Sequence, residues 1–104
     1  MAGPFNPPVK NEEFKIRIAL EDMAVVGSFK VTPTIAAGDF QVDKDGGGFN
    51  NLTTLPSVSP AGTCAVLISL SATEMNADVV TVRGVDQTTT KEWADFWLSI
   101  PTTA

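Results

Sequence analysis

Alternation of apolar and polar side chains with a period of two constrains this chain more than any other feature. It is clearest over residues 14–20, where the apolar positions are Phe14, Ile16, Ile18 and Leu20 and the intervening ones are Lys15, Arg17 and Ala19. Residues 64–70 repeat it, with Cys64, Val66, Ile68 and Leu70 on one side. This period is typical of a β-strand with one buried face. Both segments are therefore predicted to be strands.

Glycine and proline divide the remaining chain into further short strands. Residues 39–44 and 49–52 flank the run Asp45-Gly46-Gly47-Gly48, which supplies the positive φ angles that a tight hairpin turn requires. We predict that these two segments pair as a hairpin. Residues 79–85 are rich in β-branched side chains and predict another strand, whereas 53–62 reads as a loop.

Two local segments carry finer predictions. Ser71 and Glu74 have the spacing of a capping box, which predicts one helical turn. Residues 92–100 fit either a strand or an amphipathic helix, because Trp93 and Trp97 share a face under both periods. We favour the strand, because six or seven strands separated by glycine and proline turns are typical of a sandwich.

The predicted fold is all-β: an Ig-like antiparallel β-sandwich of about six to eight short strands, formed by residues 13–104. Residues 1–12 carry three prolines and are predicted to form an extended N-terminal arm outside it. Such an arm either moves freely or lies against a neighbouring molecule. Its candidate interface residues are Phe5, Pro7, Pro8 and Val9. Trp93 and Trp97 are the other candidates, and we expect one of them in the core and one in an interface.

Composition excludes several functions. The 104 residues include seven basic and twelve acidic side chains, a net charge of −5, which argues against nucleic acid or an anionic membrane as partner. There is no histidine, and the single cysteine, Cys64, fits a core position. Ser-His-Asp and Cys-His catalysis, histidine metal sites and an internal disulfide are therefore ruled out.

The acidic residues do not suggest a catalytic or metal site. Asp43-Lys44-Asp45-Gly46 resembles the start of a calcium loop, but Thr54 occupies the position of the bidentate glutamate, so a hairpin turn explains the run better. Other acids lie scattered along the C-terminal third: Asp78, Asp86, Glu92 and Asp95. They are expected to be ordinary surface acids. We expect no enzyme activity, no cofactor and no metal.

Two motifs resemble a family of small β-sandwich domains found in tailed-bacteriophage virion proteins. Residues 40–49, FQVDKDGGGF, are similar to the strand and glycine hairpin of that family. Residues 70–80, LSATEMNADVV, are similar to its strand ending in L-(S/T)-A-x-(E/D)-M-N-A-D-V-V. Order and spacing match over about residues 39–100. The family offers no catalytic residues to transfer.

The resemblance implies a non-enzymatic virion structural protein, made in the host cytoplasm and carried on the particle. A short chain with an arm fits a capsid decoration (cement) protein bound to the head lattice, assembled as a homo-oligomer, with a trimer as the expectation. The alternative is a tail-tip, baseplate or fibre-associated module that binds the host surface or a glycan. In that case Trp93 or Trp97 would stack on a sugar ring.

Overall fold

A computed structural model describes residues 7–88 and 90–103 of the chain. Its regular elements are seven β-strands: β1 (Phe14–Ala19), β2 (Phe40–Lys44), β3 (Phe49–Asn51), β4 (Ser57–Val58), β5 (Ala65–Leu70), β6 (Val79–Gly84) and β7 (Phe96–Pro101). This confirms the all-β prediction. The described residues include no helix long and apolar enough to cross a membrane.

The strands form two antiparallel sheets, an arrangement compatible with a small β-sandwich. One sheet has the order β1-β5-β4 and the other the order β3-β2-β6-β7. With β1 to β7 lettered B, C, C′, D, E, F and G, these orders become B-E-D and C′-C-F-G. They are the sheets of an immunoglobulin-type sandwich without an A strand among the described elements. The loops β1–β2, β4–β5 and β6–β7 therefore lie at one end of the domain.

The core is built from the alternating inward residues of both sheets. Val66, Ile68 and Leu70 of β5 are fully buried, as the period-two pattern predicts, and they meet Val80 and Val82 of β6. Cys64, which was predicted on the same face, precedes β5 and is only partly buried. Residues of the other elements complete this core: Phe14, Leu20, Phe40, Val42, Met75, Ala77, Trp93 and Ile100. The two sheets therefore share one apolar layer, which is the main source of stability for a domain of this size.

The predicted glycine hairpin is confirmed. β2 and β3 pair antiparallel, with Asp43 opposite Phe49. The Asp43 carboxylate accepts hydrogen bonds from the backbone N–H groups of Gly46, at 2.9 Å, and Gly48, at 2.7 Å. Gly46 and Gly48 both have positive φ angles, which explains glycine at these positions. Asp43 therefore closes the turn.

The capping box is also confirmed. Glu74 N–H donates to the Ser71 hydroxyl at 3.2 Å, and the Glu74 carboxylate accepts from Ser71 N–H at 2.9 Å. The second carboxylate oxygen accepts from Thr53 N–H at 2.9 Å. Glu74 thus joins this turn to the start of residues 53–62, which were predicted to be loop throughout but contain the two-residue strand β4.

Strand β7 is shorter than the predicted strand over 92–100. It begins at Phe96, and Trp93 instead forms an isolated bridge with Asp22 of the β1–β2 loop. Met23 N–H donates to Glu92 O, and Ala94 N–H donates to Glu21 O. These loop contacts interrupt the alternation, so the expectation that Trp93 and Trp97 share a face is wrong. Trp93 is fully buried, whereas Trp97 is 64% exposed.

Part of the predicted arm is bonded to the domain. Lys10 N–H donates to Thr103 O at 2.7 Å, Thr103 N–H donates to Pro8 O at 3.0 Å, and Asn11 N–H donates to Met75 O at 3.0 Å. The Lys10 ammonium also pairs with the Asp78 carboxylate at 2.8 Å. Residues 8–11 therefore lie along the C-terminal segment rather than outside the fold. Phe5 lies outside the described residues.

Candidate functional site

The loop between β1 and β2 exposes a cluster of large apolar side chains. Between 48% and 82% of each of these residues is exposed: Met23, Val25, Val26, Phe29 and Val31. We call residues 21–31 the apolar loop. Single exposed apolar residues are normal on a protein surface, but five within nine positions form a patch of the kind that marks an interaction site.

The backbone of the apolar loop is held by specific hydrogen bonds. Asp22 N–H donates to Ser28 O at 2.8 Å, and Lys30 N–H donates to Leu20 O at 2.7 Å. The Asp22 carboxylate accepts from Ala24 N–H at 2.8 Å. The loop therefore has a defined hairpin-like conformation, and its apolar side chains are presented outward by that conformation.

Trp93 and Asp86 support the apolar loop by fixing the neighbouring β6–β7 loop. Trp93 stacks on Phe40 with 5.4 Å between ring centroids, and its indole N–H donates to Thr34 O at 3.1 Å. The buried Asp86 carboxylate accepts from Glu92 N–H at 2.7 Å and from both the N–H and the hydroxyl of Thr88. These contacts fix the β6–β7 loop, which in turn hydrogen-bonds to the apolar loop.

The ionisation of Asp86 follows from these bonds. Burial by itself would raise the pKa of this carboxyl, but hydrogen bonds from Thr88, Glu92 and Trp93 to the ionised form outweigh burial. The pKa of Asp86 therefore lies below its ordinary value of 3.8. Asp86 is thus a buried structural anion, and the expectation that it is an ordinary surface acid is wrong.

A second surface lies on the outward face of the four-stranded sheet, around Trp97. The Trp97 and Phe49 rings meet edge to face, with 5.7 Å between centroids, although they belong to the two outermost strands. The Arg83 guanidinium carbon lies 4.0 Å from the Phe49 ring centroid. This cation–π contact places the arginine beneath the aromatic pair.

Side-chain hydrogen bonds continue this arrangement across the sheet. Arg83 donates from Nε and Nη2 to Gln41 Oε1, at 3.2 and 2.7 Å. Gln41 Nε2 donates to Asn51 Oδ1 at 3.1 Å. We call Trp97, Phe49, Arg83, Gln41 and Asn51 the Trp97 face. These side chains carry planar groups that contact one another, and the exposed indole of Trp97 lies at one end.

A groove of about 280 Å³ lies beside β3, lined in part by Lys44, Asn50, Asn51 and Glu74. Its charged groups are committed to the fold, because Lys44 donates to Thr73 O and Glu74 accepts two backbone N–H groups. The groove therefore presents no free acid–base pair.

The acidic residues of the predicted calcium-like run also serve the backbone. Asp45 accepts from Asp78 N–H and Val79 N–H, and these bonds lower the pKa of its carboxyl. Across the described ranges 7–88 and 90–103, no group of three or more metal-ligating side chains is found. The run forms a hairpin turn, as its missing twelfth ligand predicts.

The structure does not bring the predicted interface residues together. Pro8 and Val9 lie beside Thr103, which is six residues beyond Trp97 and so roughly 20 Å away in an extended chain. Pro7 is exposed next to them, and Trp93 belongs to the core rather than to any surface. Of the predicted interface residues that the structure describes, only Trp97 lies on one of the two candidate surfaces.

The apolar loop and the polar members of the Trp97 face were not identified from sequence. A signal for the loop was present, since five large apolar residues stand within nine positions that are interrupted by Gly27. No family model, curated protein or solved structure matches the chain. The resemblance to phage virion domains therefore rests on the two motifs at 40–49 and 70–80.

Proposed function

We propose that this chain is a non-enzymatic bacteriophage virion structural protein, a capsid decoration protein that attaches to the head lattice through the apolar loop. The observation that carries the proposal is the exposure of Met23, Val25, Val26, Phe29 and Val31 on an ordered loop. The resemblance of residues 40–49 and 70–80 to virion domains supplies the kind of partner.

The size of the patch is sufficient for a contact that is repeated over a lattice. With about 150–200 Å² per fully exposed apolar residue, the five exposures amount to on the order of 500 Å², near the upper end for the largest patch on a monomer. At about 25 cal/mol per Å², burying this area contributes on the order of 10 kcal/mol before the entropic cost of association.

The charge around the patch favours a protein partner over a membrane. Glu21 and Asp22 outnumber Lys30 in the apolar loop, and the whole chain carries −5. An anionic lipid surface would repel this end of the domain, whereas an apolar depression in a capsid protein would accept it.

Attachment to heads that lack the protein tests the proposal. Purified protein is mixed with such heads, and the bound fraction is measured by co-sedimentation. Val26→Lys places an ammonium group at the most exposed apolar position, and it should weaken attachment more than tenfold, because burying an unpaired charge is costly. The matched control is Val79→Lys, which alters an exposed valine at the start of β6. The start of β6 is opposite to the end that leads into the β6–β7 loop.

Equal attachment of the Val26→Lys and Val79→Lys proteins, with both shown to be folded, would refute the role of the apolar loop. The exposed Trp97 favours a second candidate, the tail-tip, baseplate or fibre-associated module that binds the host surface. The two candidates differ in copy number, because a head lattice offers hundreds of positions and a tail tip offers few.

A further inference from the structure

We propose that the Trp97 face is a binding site for a neutral pyranose sugar. The proposal rests on the geometry of this face and not on attachment through the apolar loop, so either can fail alone. The two surfaces share no residue, since the face belongs to the sheet β3-β2-β6-β7 and the apolar loop lies between β1 and β2.

The stacking surface is the indole of Trp97. It is 64% exposed, while its edge contact with Phe49 fixes the orientation of the ring. The C–H side of a pyranose ring is apolar and flat, so it can pack against an aromatic face. The hydroxyl groups of the sugar remain free to form hydrogen bonds. A rigid indole contributes this area at little cost in conformational entropy.

The hydrogen-bonding groups lie in the same row of the sheet. Asn51, Gln41, Arg83 and Trp97 are cross-strand neighbours. After their bonds to each other, the Asn51 amide N–H₂, one Gln41 N–H and at least two Arg83 N–H groups are not used within the row. Sugar hydroxyls accept and donate, so several planar groups beside a stacking ring meet their requirements.

Arg83 also orders its neighbours in this site. Its guanidinium contacts Phe49 on one side and holds the Gln41 carbonyl with two hydrogen bonds. Both of these partners are uncharged, so they hold the guanidinium in place without neutralising its charge. Because the protein as a whole carries −5, a polyanionic glycan would be repelled at long range, and a neutral sugar is the better match.

The test is an NMR titration of the two indole N–H resonances. The probes are cellohexaose, chitohexaose and maltohexaose, with hexagalacturonate as the acidic arm, each added to about 10 mM, well above a dissociation constant of about 1 mM. We expect at least one neutral oligosaccharide to shift the Trp97 resonance. The Trp93 resonance is the internal control, because that indole is buried and bonded to Thr34 O.

Two variants define the contact. Trp97→Ala should weaken binding by about tenfold or more, because it removes the area that the sugar covers. Asn51→Ala removes an exposed amide and should weaken binding severalfold without altering the fold. Trp97→Phe keeps a smaller ring and assigns the resonance, and it should bind with intermediate affinity.

Three results would overturn the proposal. The first is no shift of Trp97 with any neutral oligosaccharide, and the second is tighter binding of hexagalacturonate than of all three neutral probes. The third is loss of head attachment in Trp97→Ala, which would assign the face to a protein contact. Sugar binding that survives Val26→Lys, together with attachment that survives Trp97→Ala, would support both proposals separately.

Discussion

Replacement of Asp86 by asparagine should destabilise the domain far more than the same replacement of a surface aspartate. The carboxylate is 2% exposed and accepts three hydrogen bonds, two from Thr88 and one from Glu92 N–H. Asparagine keeps one acceptor oxygen and places an N–H₂ group where the other oxygen lies. One buried donor then faces another donor.

The size of the loss follows from these contacts. An unsatisfied buried donor costs about 1–3 kcal/mol, and hydrogen bonds to a charged acceptor are roughly twice as strong as neutral ones. We therefore expect Asp86→Asn to lower the free energy of unfolding by about 2–4 kcal/mol at pH 7. For a domain of this length, that corresponds to a fall in Tm of at least about 10 °C.

The pH dependence gives a second, independent readout. Because the pKa of Asp86 in the fold lies below its ordinary value of 3.8, its ionised form stabilises the protein above that pH. This contribution is lost as the pH falls through the folded pKa. The difference in stability between wild type and Asp86→Asn should therefore narrow below about pH 4.

Both effects are measured by urea denaturation, followed by Trp fluorescence, at pH values from 7 down to about 2.5. Asp95→Asn is the matched control, since that side chain is 63% exposed and pairs only with Lys91 at the surface. It should cost less than about 1 kcal/mol. An Asp86→Asn protein as stable as the control, or a difference that stays constant through acid pH, would refute the reasoning.

Four further substitutions test the packing. Gly84→Ala puts a Cβ 2.9 Å from the Phe40 ring and should cost about 1–3 kcal/mol in urea denaturation; a neutral result would mean the ring moves freely. Asp43→Ala removes the acceptor of two turn N–H groups, so hydrogen exchange in the β2–β3 turn should accelerate, and unchanged exchange would contradict the capping role. Trp93→Phe should lower Tm by several degrees, whereas Trp97→Phe should leave it nearly unchanged; equal effects would contradict their assigned burial.

The strands that follow a local pattern were predictable from the sequence. Residues 14–20 and 64–70 contain β1 and β5 because their side chains alternate between core and outward faces, and β6 lies within the β-branched run 79–85. The glycine hairpin was also predictable from local sequence, because the residues that form its turn contact one another within the turn. Asp43 and the glycines need no distant partner to close it.

Features that depend on distant contacts were not predictable in this way. Trp93 leaves the pattern of β7 because the backbone of residues 92–94 pairs with the β1–β2 loop, about seventy residues earlier. Residues 8–11 belong to the proline-containing segment that was predicted to be an arm, yet hydrogen bonds to Thr103 and Met75 attach them to the domain. The Trp97 face requires four strands in register, which no local period specifies.

The central claim, attachment to the head lattice, is tested most directly by copy number in purified virions. Quantitative mass spectrometry of particles from the phage proposed to encode the chain gives its ratio to the major capsid protein. Decoration predicts a ratio of the same order as that of the capsid protein itself. A handful of copies would contradict decoration and favour the tail, and absence from the particle would contradict the virion proposal as a whole.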